Sequence, residues 1–190
     1  MIDPNPLKLR PDVAIVPLTT KHAPNMYRWM SDPLIRSNIG LRSEPSLERT
    51  IAWITNALHD PSACPRAILL GDRHVGNVVL DRIDNYIATA RLSVYIGESI
   101  ARASGIGRTG ICLALVEGFQ QMGLHKVWLT VHSRNFHAMN TYARLGFALE
   151  GILRDEFWFE GQRIAAFYMG LLRDDFRQIS PDLHGEHVVR

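Results

Sequence analysis

A glycine-rich turn in the middle of the chain has the spacing of an anion-binding site. Gly105, Gly107 and Gly110 follow a strand-like run from Ala90 to Ile96 and precede an apolar segment with helical periodicity. Glycines let the backbone approach a ligand closely, and the free amides and dipole of a helix N-terminus attract negative charge. The pattern therefore predicts a site for a phosphate or a pyrophosphate.

The same glycine spacing is compatible with two other interpretations. One is dinucleotide binding, because Gly-x-Gly-x-x-Gly is also the NAD(P) fingerprint. That fold needs an acidic residue about 20 positions further on. Here the next strand ends in His132, Ser133 and Arg134, and no repeated strand–helix–strand units follow. The other interpretation is a tight packing turn that binds no ligand.

Two motifs in this part of the chain resemble those of the GNAT superfamily of N-acetyltransferases. The first, Arg-Ala-Ser-Gly-Ile-Gly from Arg102 to Gly107, matches the family pattern Gln/Arg-x-x-Gly-x-Gly/Ala. The second runs from Asn135 to Phe147 and matches Asn-x-x-Ala followed by Tyr-x-Lys/Arg-x-Gly-Phe. Because both motifs occur in the expected order, the chain is identified as a GNAT member over roughly residues 10 to 176.

The resemblance implies both a fold and a co-substrate. GNAT proteins have an α+β fold, a mixed and mostly antiparallel central sheet flanked by helices, and use acetyl-CoA without a metal. In the family, the first motif binds the coenzyme A pyrophosphate, and a bulge in the preceding strand exposes backbone groups to the pantetheine arm. The implied coenzyme-binding residues are Val94, Arg102, Ala103, Ser104, Gly105, Ile106, Gly107, Arg108, Asn135 and Ala138.

Three residues are candidates for proton transfer when an amine attacks the thioester. The tyrosine at the position of Tyr142 protonates the leaving thiolate in many relatives, and a phenol pKa near 10 is close enough to a thiol pKa of roughly 8.5. Packing on its helix is the alternative for Tyr142. Glu98, before the glycine-rich turn, and His132, at the end of the next strand, are candidates for the base. Either of these two could instead be a solvated surface group.

The sequence indicates the acceptor amine less specifically than it indicates the coenzyme. The run from Gly146 to Arg154 resembles Gly-Phe-x-x-Glu-Gly-x-x-Arg of the branch that contains ribosomal-protein N-terminal and amino-sugar acetyltransferases. An acid that many members carry on the last strand is missing between Arg163 and Ala166. We expect a small primary amine, in particular a nucleotide-linked amino sugar whose diphosphate is held by Arg36 and Arg42.

Two other functions remain open. One is acetylation of a protein N-terminus, such as that of a ribosomal protein, which would favour acids in the cleft, for example Glu44. The other is a non-catalytic module that binds coenzyme A as a sensor. Trp29 and Trp53 could flank a sugar or base, but core packing is the alternative, and we favour it for Trp53.

Composition limits the other partners. Of the 190 residues, 46% are hydrophobic and 21% are charged, and the net charge is +2 without a basic stripe. Such a chain is typical of a soluble domain that binds no nucleic acid. The GNAT resemblance implies direct transfer without an acyl-enzyme and without a metal. Cys64 and Cys112 agree with it, because they form no CxxC pair and adjoin no histidine in a nucleophile motif.

Targeting signals are not evident in the sequence. The first residues have neither the basic start nor the apolar stretch of a signal peptide. No apolar run approaches the roughly 20 residues that span a bilayer. We expect a cytoplasmic protein without a membrane partner, and the resemblance suggests a homodimer through the final strands.

Periodicity and turn signals predict the elements that position these residues. Strands are predicted at Val13–Leu18, Ala67–Leu70, Val75–Leu80, Ala90–Ile96, Lys126–Val131, Phe147–Leu153 and Arg163–Leu172. Helices are predicted from a start at Thr19–His22 through Met30, from a cap at Ser46 to Leu58, from the glycine-rich turn to Gly123, and from a cap at Asn135 to Gly146. In the second helix, Leu47, Ile51, Ile54 and Leu58 line one face.

The predicted organisation is a single domain. We expect it to span residues 13–176, with a flexible N-terminal segment at 1–12 and a tail at 177–190. The stretch from Asn38 to Pro45, between the first two helices, is expected to be irregular and to line a site.

Overall fold

The structure, a computed structural model, describes residues 9–102 and 104–179. Ala103, residues 1–8 of the expected flexible segment and residues 180–190 of the expected tail lie outside the described residues. Leu9 packs against the main core, and the backbone N–H of Arg10 donates to Thr109 Oγ1 at 3.2 Å. At the other end, a helix at Arg173–Ile179 continues into the segment predicted as a tail.

The described chain contains seven strands and six α-helices. The strands are β1 (Val13–Pro17), β2 (Cys64–Leu70), β3 (Arg73–Asp84), β4 (Thr89–Ile96), β5 (Lys126–His132), β6 (Ala148–Phe159) and β7 (Gln162–Leu172). The helices are α1 (Ala23–Met30), α2 (Pro33–Asn38), α3 (Leu47–His59), α4 (Ile106–Val116), α5 (Phe136–Arg144) and α6 (Arg173–Ile179). A π-helical turn extends α4 through Glu117–Gln121. Each predicted strand is present, and β3 and β6 run further than predicted.

Capping residues explain where two of the helices begin. The side chain of Ser46 accepts the amide of Arg49 at 3.2 Å, which confirms the predicted cap of α3. Asp32 and Pro33 were interpreted only as the end of α1, but they also begin α2. Asp32 accepts the amide of Leu34 at 2.9 Å, and Pro33 takes the first helical position, where no helix hydrogen bond is lost.

The strands form one sheet in the order β1-β2-β3-β4-β5-β7-β6. Neighbouring strands are antiparallel except β4 and β5, which are parallel and pair only from Thr89 to Arg91 of β4. Since β4 continues to Ile96 and β5 to His132, the two strands part beyond Arg91 and leave a gap in the sheet. The mixed, mostly antiparallel sheet with flanking helices confirms the predicted α+β fold.

Hydrophobic cores cover both faces of the sheet. The main core joins α4 to residues such as Val94 and Leu129, and the second joins α1–α3 to the β1–β4 half, with Met26 and Trp29 buried and Tyr95 packed against them. Val94 and Tyr95 are consecutive in β4 and therefore point to opposite faces. We call these the α4 face and the α1 face.

Two kinds of feature are absent from the described ranges. None of the helices there combines the length and the apolar character needed to cross a membrane. Nor do three or more His, Cys, Asp or Glu side chains come together there as a metal site would require.

Candidate active site

A cleft of about 1040 Å³ runs through the gap between β4 and β5. Val94 and Val131 line it on the α4 face, and Tyr95 and Thr130 line it on the α1 face. Its remaining walls come from the start of α4 and from α5 on one side, and from α1, α2, α3 and the irregular segment before α3 on the other. The prediction that this segment lines a site is confirmed. The cleft therefore connects the two faces where β4 and β5 stop pairing.

The glycines of the glycine-rich turn have two different surroundings. Gly105 caps α4 with a φ of +82°, a conformation that favours glycine, and it lines the cleft together with Gly107 and Arg108. Gly110 instead faces the sheet, where an added Cβ would lie 2.7 Å from Ile68 Cδ1. The first two glycines thus shape an open helix start beside the cleft, and the third allows close packing of α4.

The remaining residues of the turn hold its shape. Arg102 lines the cleft and donates to two carbonyl oxygens at the end of β4, at 3.1 and 3.3 Å. The hydroxyl of Ser104 donates to the carbonyl of Ala101 at 2.7 Å, and Ile106 is buried in the main core. The side chains of Ser104 and Ile106 are therefore structural, and their contribution to a ligand is confined to backbone groups.

Val94 lines the cleft as predicted, but without the expected bulge. β4 pairs with β3 in regular register from Arg91 to Ile96, with Val94 opposite Val78, and the register shift of this pair lies beyond Asp81. The expected bulge at Val94 is therefore wrong. Backbone groups of β4 are nevertheless open toward β5, because the two strands part along this stretch.

The second motif forms α5 and brings three residues to the cleft. Asn135 caps the helix by accepting the amide of Ala138 at 3.1 Å, and both line the cleft with Tyr142. The ring of Tyr142 also packs edge-on against Phe147, with centroids 5.8 Å apart, so packing and exposure to the cleft coexist. Burial raises the pKa of Tyr142 to about 12, so the phenol keeps its proton through neutral pH.

His132 lies at the end of β5 on the α1 face of the cleft. It is 3% exposed, its Nε2 is 3.0 Å from Asn38 Oδ1, and its ring stacks on Phe159 at 5.1 Å. With Nε2–H donating to Asn38, the lone pair lies on Nδ1, which has no partner among the described groups. Burial, aided by the charge of Arg134, lowers the pKa of His132, so the imidazole is neutral at physiological pH.

Glu98 is not among the described residues that line the cleft. Its Oε1 accepts from Trp29 Nε1 at 3.0 Å and from Arg28, and its Oε2 accepts from Arg73 at 2.8 Å. Burial alone raises the pKa of Glu98, but the Trp29 hydrogen bond and the two arginine charges outweigh it, so the pKa is lowered. These contacts suit an ion-paired structural carboxylate rather than a base.

The two tryptophans lie in different surroundings. Trp29 is 4% exposed in the second core, whereas Trp53 is 44% exposed and lines the cleft. The buried stripe of α3 consists of Thr50, Ile54 and Ala57, which include two small residues. Because that stripe sets how α3 rests on the sheet, Trp53 lies at its side, facing the cleft, and the favoured core packing of Trp53 is wrong.

A polar pair on the α1 face was missed in the sequence. Asn77 on β3 lies opposite Tyr95 on β4, both line the cleft, and Asn77 Nδ2 donates to the Tyr95 hydroxyl at 2.8 Å. Asn77 is only 2% exposed, and its Oδ1 also contacts His74 Nε2 at 3.1 Å. The signal was present, since an asparagine interrupts an otherwise apolar strand.

A sheet that opens between two parallel strands, with a glycine-led helix starting at the opening, defines a GNAT-type fold. Comparison with known proteins agrees, because a family model described as "Acetyltransferase (GNAT) domain" matches residues 12–148. The chain belongs to this family, and the predicted superfamily is confirmed. The dinucleotide interpretation fails, because β4–β5 is the sole parallel pairing among the described strands.

Curated relatives include spermidine N(1)-acetyltransferase of Escherichia coli strain K12. It is 28% identical over 119 residues, which cover 63% of this chain and 63% of that enzyme. The same protein of E. coli O157:H7 matches to the same extent. The chain thus spans less than two thirds of the length of these relatives.

Solved structures with the same fold include spermidine N-acetyltransferase of Vibrio cholerae in complex with CoA and spermine. Its TM-score is 0.83 at 22% identity, covering 88% of this chain and 99% of that one. A structure described as dodecameric, of the enzyme from the same organism, gives a TM-score of 0.77 at 21% identity, covering 88% and 97%. At these identities the likeness establishes the fold.

Proposed function

We propose that this protein transfers an acetyl group from acetyl-CoA directly to a primary amine of a small molecule. One observation carries the proposal, namely the cleft that crosses the sheet between β4 and β5. On the α4 face it offers the helix start at Gly105 and the side chains of Arg102, Arg108 and Arg144, which suit the coenzyme phosphates. The gap then joins that side to the α1-face half of the cleft, where an amine can approach.

In this arrangement the residues of the gap align the two reactants. The open backbone edge of β4 near Val94 binds the pantetheine arm, and Asn135 and Ala138 border it on the α5 side. Tyr142 hydrogen-bonds or protonates the leaving sulfur. The same burial that raises the pKa of Tyr142 also raises that of a thiol held beside it, so proton transfer between them stays feasible. Alignment of the amine with the thioester and exclusion of water account for much of the remaining rate enhancement.

We propose His132 as the general base and a structural role for Glu98. His132 lines the cleft on the side from which the amine approaches, and its lowered pKa keeps it neutral. Glu98 uses both carboxylate oxygens for Trp29, Arg28 and Arg73. A carboxylate held by three donors is a weak base, because removing it from those partners costs their interactions.

The acceptor we propose carries no diphosphate. Arg36, one of the two arginines expected to hold it, pairs with Glu44 at 2.6 Å, and neither Arg36 nor Arg42 lines the cleft. This removes the support for a nucleotide-linked amino sugar. The alternative acceptor, a protein N-terminus, would need an acid in the cleft to bind its ammonium group. Glu44 lines the cleft, but its carboxylate already pairs with Arg36.

We also propose that the protein self-associates through β6. This edge strand presents Leu149, Ile152 and Trp158 at 57%, 59% and 67% exposure, and an unpaired strand edge is a ready pairing surface. A dodecameric relative is consistent with such association. Light scattering should show an oligomer for the parent protein and a smaller species for Ile152→Asp. A monomeric parent protein would remove the proposal.

Calorimetric titration and a turnover assay test the enzymatic proposal. We expect saturable binding of acetyl-CoA with about one site per chain, and no comparable binding of NAD or NADP. Release of the coenzyme thiol should then depend on an added primary amine. Binding without any amine-dependent release would indicate a coenzyme A sensor, and absence of acetyl-CoA binding would overturn the proposal altogether. Turnover confined to peptides with a free N-terminus would indicate protein acetylation.

A further inference from the structure

We propose that the acceptor is a monoamine with an apolar body, such as an alkylamine or arylalkylamine, rather than a polyamine. The inference rests on the proposed function and concerns the α1-face half of the same cleft. It follows from three properties of that half: its carboxylates are paired within the protein, its walls are apolar, and its polar groups nearest the gap are uncharged.

The carboxylates of this half are already paired with arginines. Its two carboxylates are Glu44 and Asp81. Glu44 pairs with Arg36 at 2.6 Å, and Asp81 accepts two hydrogen bonds of 2.7 Å from Arg91. A polyamine brings further ammonium groups, and each must lose water on entering the cleft. Because both acids of the described lining are ion-paired, a further ammonium group could use either carboxylate only in competition with its arginine.

The walls are built from large apolar side chains. Met26, Met30, Ile39, Trp53 and Phe157 all line this half. Trp53 is 44% exposed, so a large part of its ring faces water. A large aromatic side chain beside a cleft gains much apolar contact when a ligand covers it. Exposed apolar residues that converge on a cavity are typical of a site for an apolar ligand. The ring of Trp53 is thus placed to cover the body of the amine.

The polar groups nearest the gap are suited to a single neutral amine. Tyr95, held by Asn77 at 2.8 Å, and Thr130 line the gap and can both hydrogen-bond an NH₂ group. An apolar cleft also lowers the pKa of a bound amine, because desolvation disfavours the ammonium form. The same surroundings that admit an apolar body therefore help to produce the nucleophile.

The test compares acceptors by coenzyme thiol release at fixed, saturating acetyl-CoA. Probes are 2-phenylethylamine and hexylamine as apolar monoamines, spermidine and spermine as polyamines, and glucosamine as a polar monoamine. We expect kcat/KM for an apolar monoamine to exceed that for either polyamine and for glucosamine by about tenfold or more, since each unpaired buried charge or polar group is costly. Equal or higher kcat/KM for spermidine, spermine or glucosamine overturns the inference.

Two variants connect the preference to the cleft. Trp53→Ala should raise KM for 2-phenylethylamine by about tenfold, the effect of lost apolar contact, with little change in the affinity for acetyl-CoA. Tyr86→Ala, which removes an aromatic ring that is 97% exposed, should change neither value. An unchanged KM in Trp53→Ala contradicts the assignment of the α1 face.

Acetyl-CoA titration separates this inference from the function on which it rests. If acetyl-CoA binds and polyamines are the best acceptors, the acyltransferase proposal stands and the acceptor inference fails. If acetyl-CoA does not bind, both fail together.

Discussion

The indole Nε1 of Trp29 donates a hydrogen bond to Oε1 of Glu98 over 3.0 Å. The bond ties α1 to the turn between β4 and the glycine-rich loop, and Arg28 and Arg73 close around the same carboxylate. It explains two departures from the sequence-based expectations. Trp29 is unavailable to flank a ligand because it is buried against Glu98, and Glu98 is unavailable as a base because both of its oxygens are engaged.

Replacement of Glu98 by Gln should destabilise the fold. We expect a loss of about 1–2 kcal/mol at pH 7, less than for a fully buried pair because both arginines are well exposed. Tm should fall by about 2–8 °C. Since the pKa of Glu98 is lowered from 4.5 on folding, its contribution is present above pH 4.5 and is lost as the pH falls through the folded-state value.

Thermal unfolding at pH 7 and in acid checks this prediction. The difference between parent protein and Glu98→Gln should shrink in acid, as the parent carboxylate becomes protonated. Glu156→Gln, an exposed carboxylate on β6, serves as the control and should change Tm little at either pH. An undiminished difference in acid would contradict the electrostatic explanation.

Alanine at Gly105 should weaken the affinity for acetyl-CoA. Gly105 has a φ of +82° at the start of α4, so alanine there costs about 1–2 kcal/mol of stability and distorts the backbone that faces the cleft. Gly123 has a φ of +71° but no atom within 4 Å of an added Cβ, and it lies away from the cleft. Gly123→Ala is therefore a control matched in backbone strain.

Calorimetry separates the two effects of this pair of variants. Both should lose a similar amount of stability, while the Kd for acetyl-CoA should rise in Gly105→Ala and stay constant in Gly123→Ala. A parallel rise in both would mean that the glycine-rich turn affects binding through global stability rather than as part of a coenzyme site.

Removal of the Tyr142 hydroxyl should slow turnover while sparing binding. We expect Tyr142→Phe to lower kcat by about 100-fold, within the usual range for general acid catalysis, with the Kd for acetyl-CoA nearly unchanged. The pKa of Tyr142 is about 12, so the parent phenol is fully protonated across pH 6–8. Removal of the hydroxyl should therefore lower kcat by the same factor throughout this range. Tyr86→Phe is the matched control, and retention of the parent kcat in Tyr142→Phe would exclude the acid role.

The pH dependence should identify His132. Burial lowers the pKa of His132 below its ordinary 6.5, so kcat/KM should fall on the acidic side as the imidazole becomes protonated, with a midpoint below pH 6.5. His132→Gln should lower kcat/KM at pH 7 and abolish that acidic limb. Persistence of the same limb in the variant would assign it to another group, and the base role of His132 would be withdrawn.

Features that depend on neighbouring residues were predicted well from the sequence. Ser46 and Asn135 cap their helices as predicted, because a cap depends on hydrogen bonds within a few residues. Asp32 and Pro33 show the limit of such signals, since they end one helix and begin the next. The sequence alone described only the first of these roles.

The placement of side chains relative to the cleft depended on the tertiary structure. The spacing of Leu47, Ile51 and Leu58 predicted an apolar face of α3, yet all three are at least 38% exposed and Ile54 alone of that set is buried. The face of α3 that packs against the protein instead contains the small residues Thr50 and Ala57. The helix is thus rotated about its axis relative to the predicted orientation, and Trp53 faces the cleft.

The sequence by itself thus determined the family, the succession of strands and helices, and the residues of the glycine-rich turn, because short-range hydrogen bonds and periodic hydrophobicity encode them. The tertiary structure decided which side chains meet at the gap between β4 and β5. Strand divergence and the hydrogen bond from Trp29 to Glu98 involve residues far apart in the chain. The free energy of those contacts arises only once the sheet and helices have packed, so no local pattern records it.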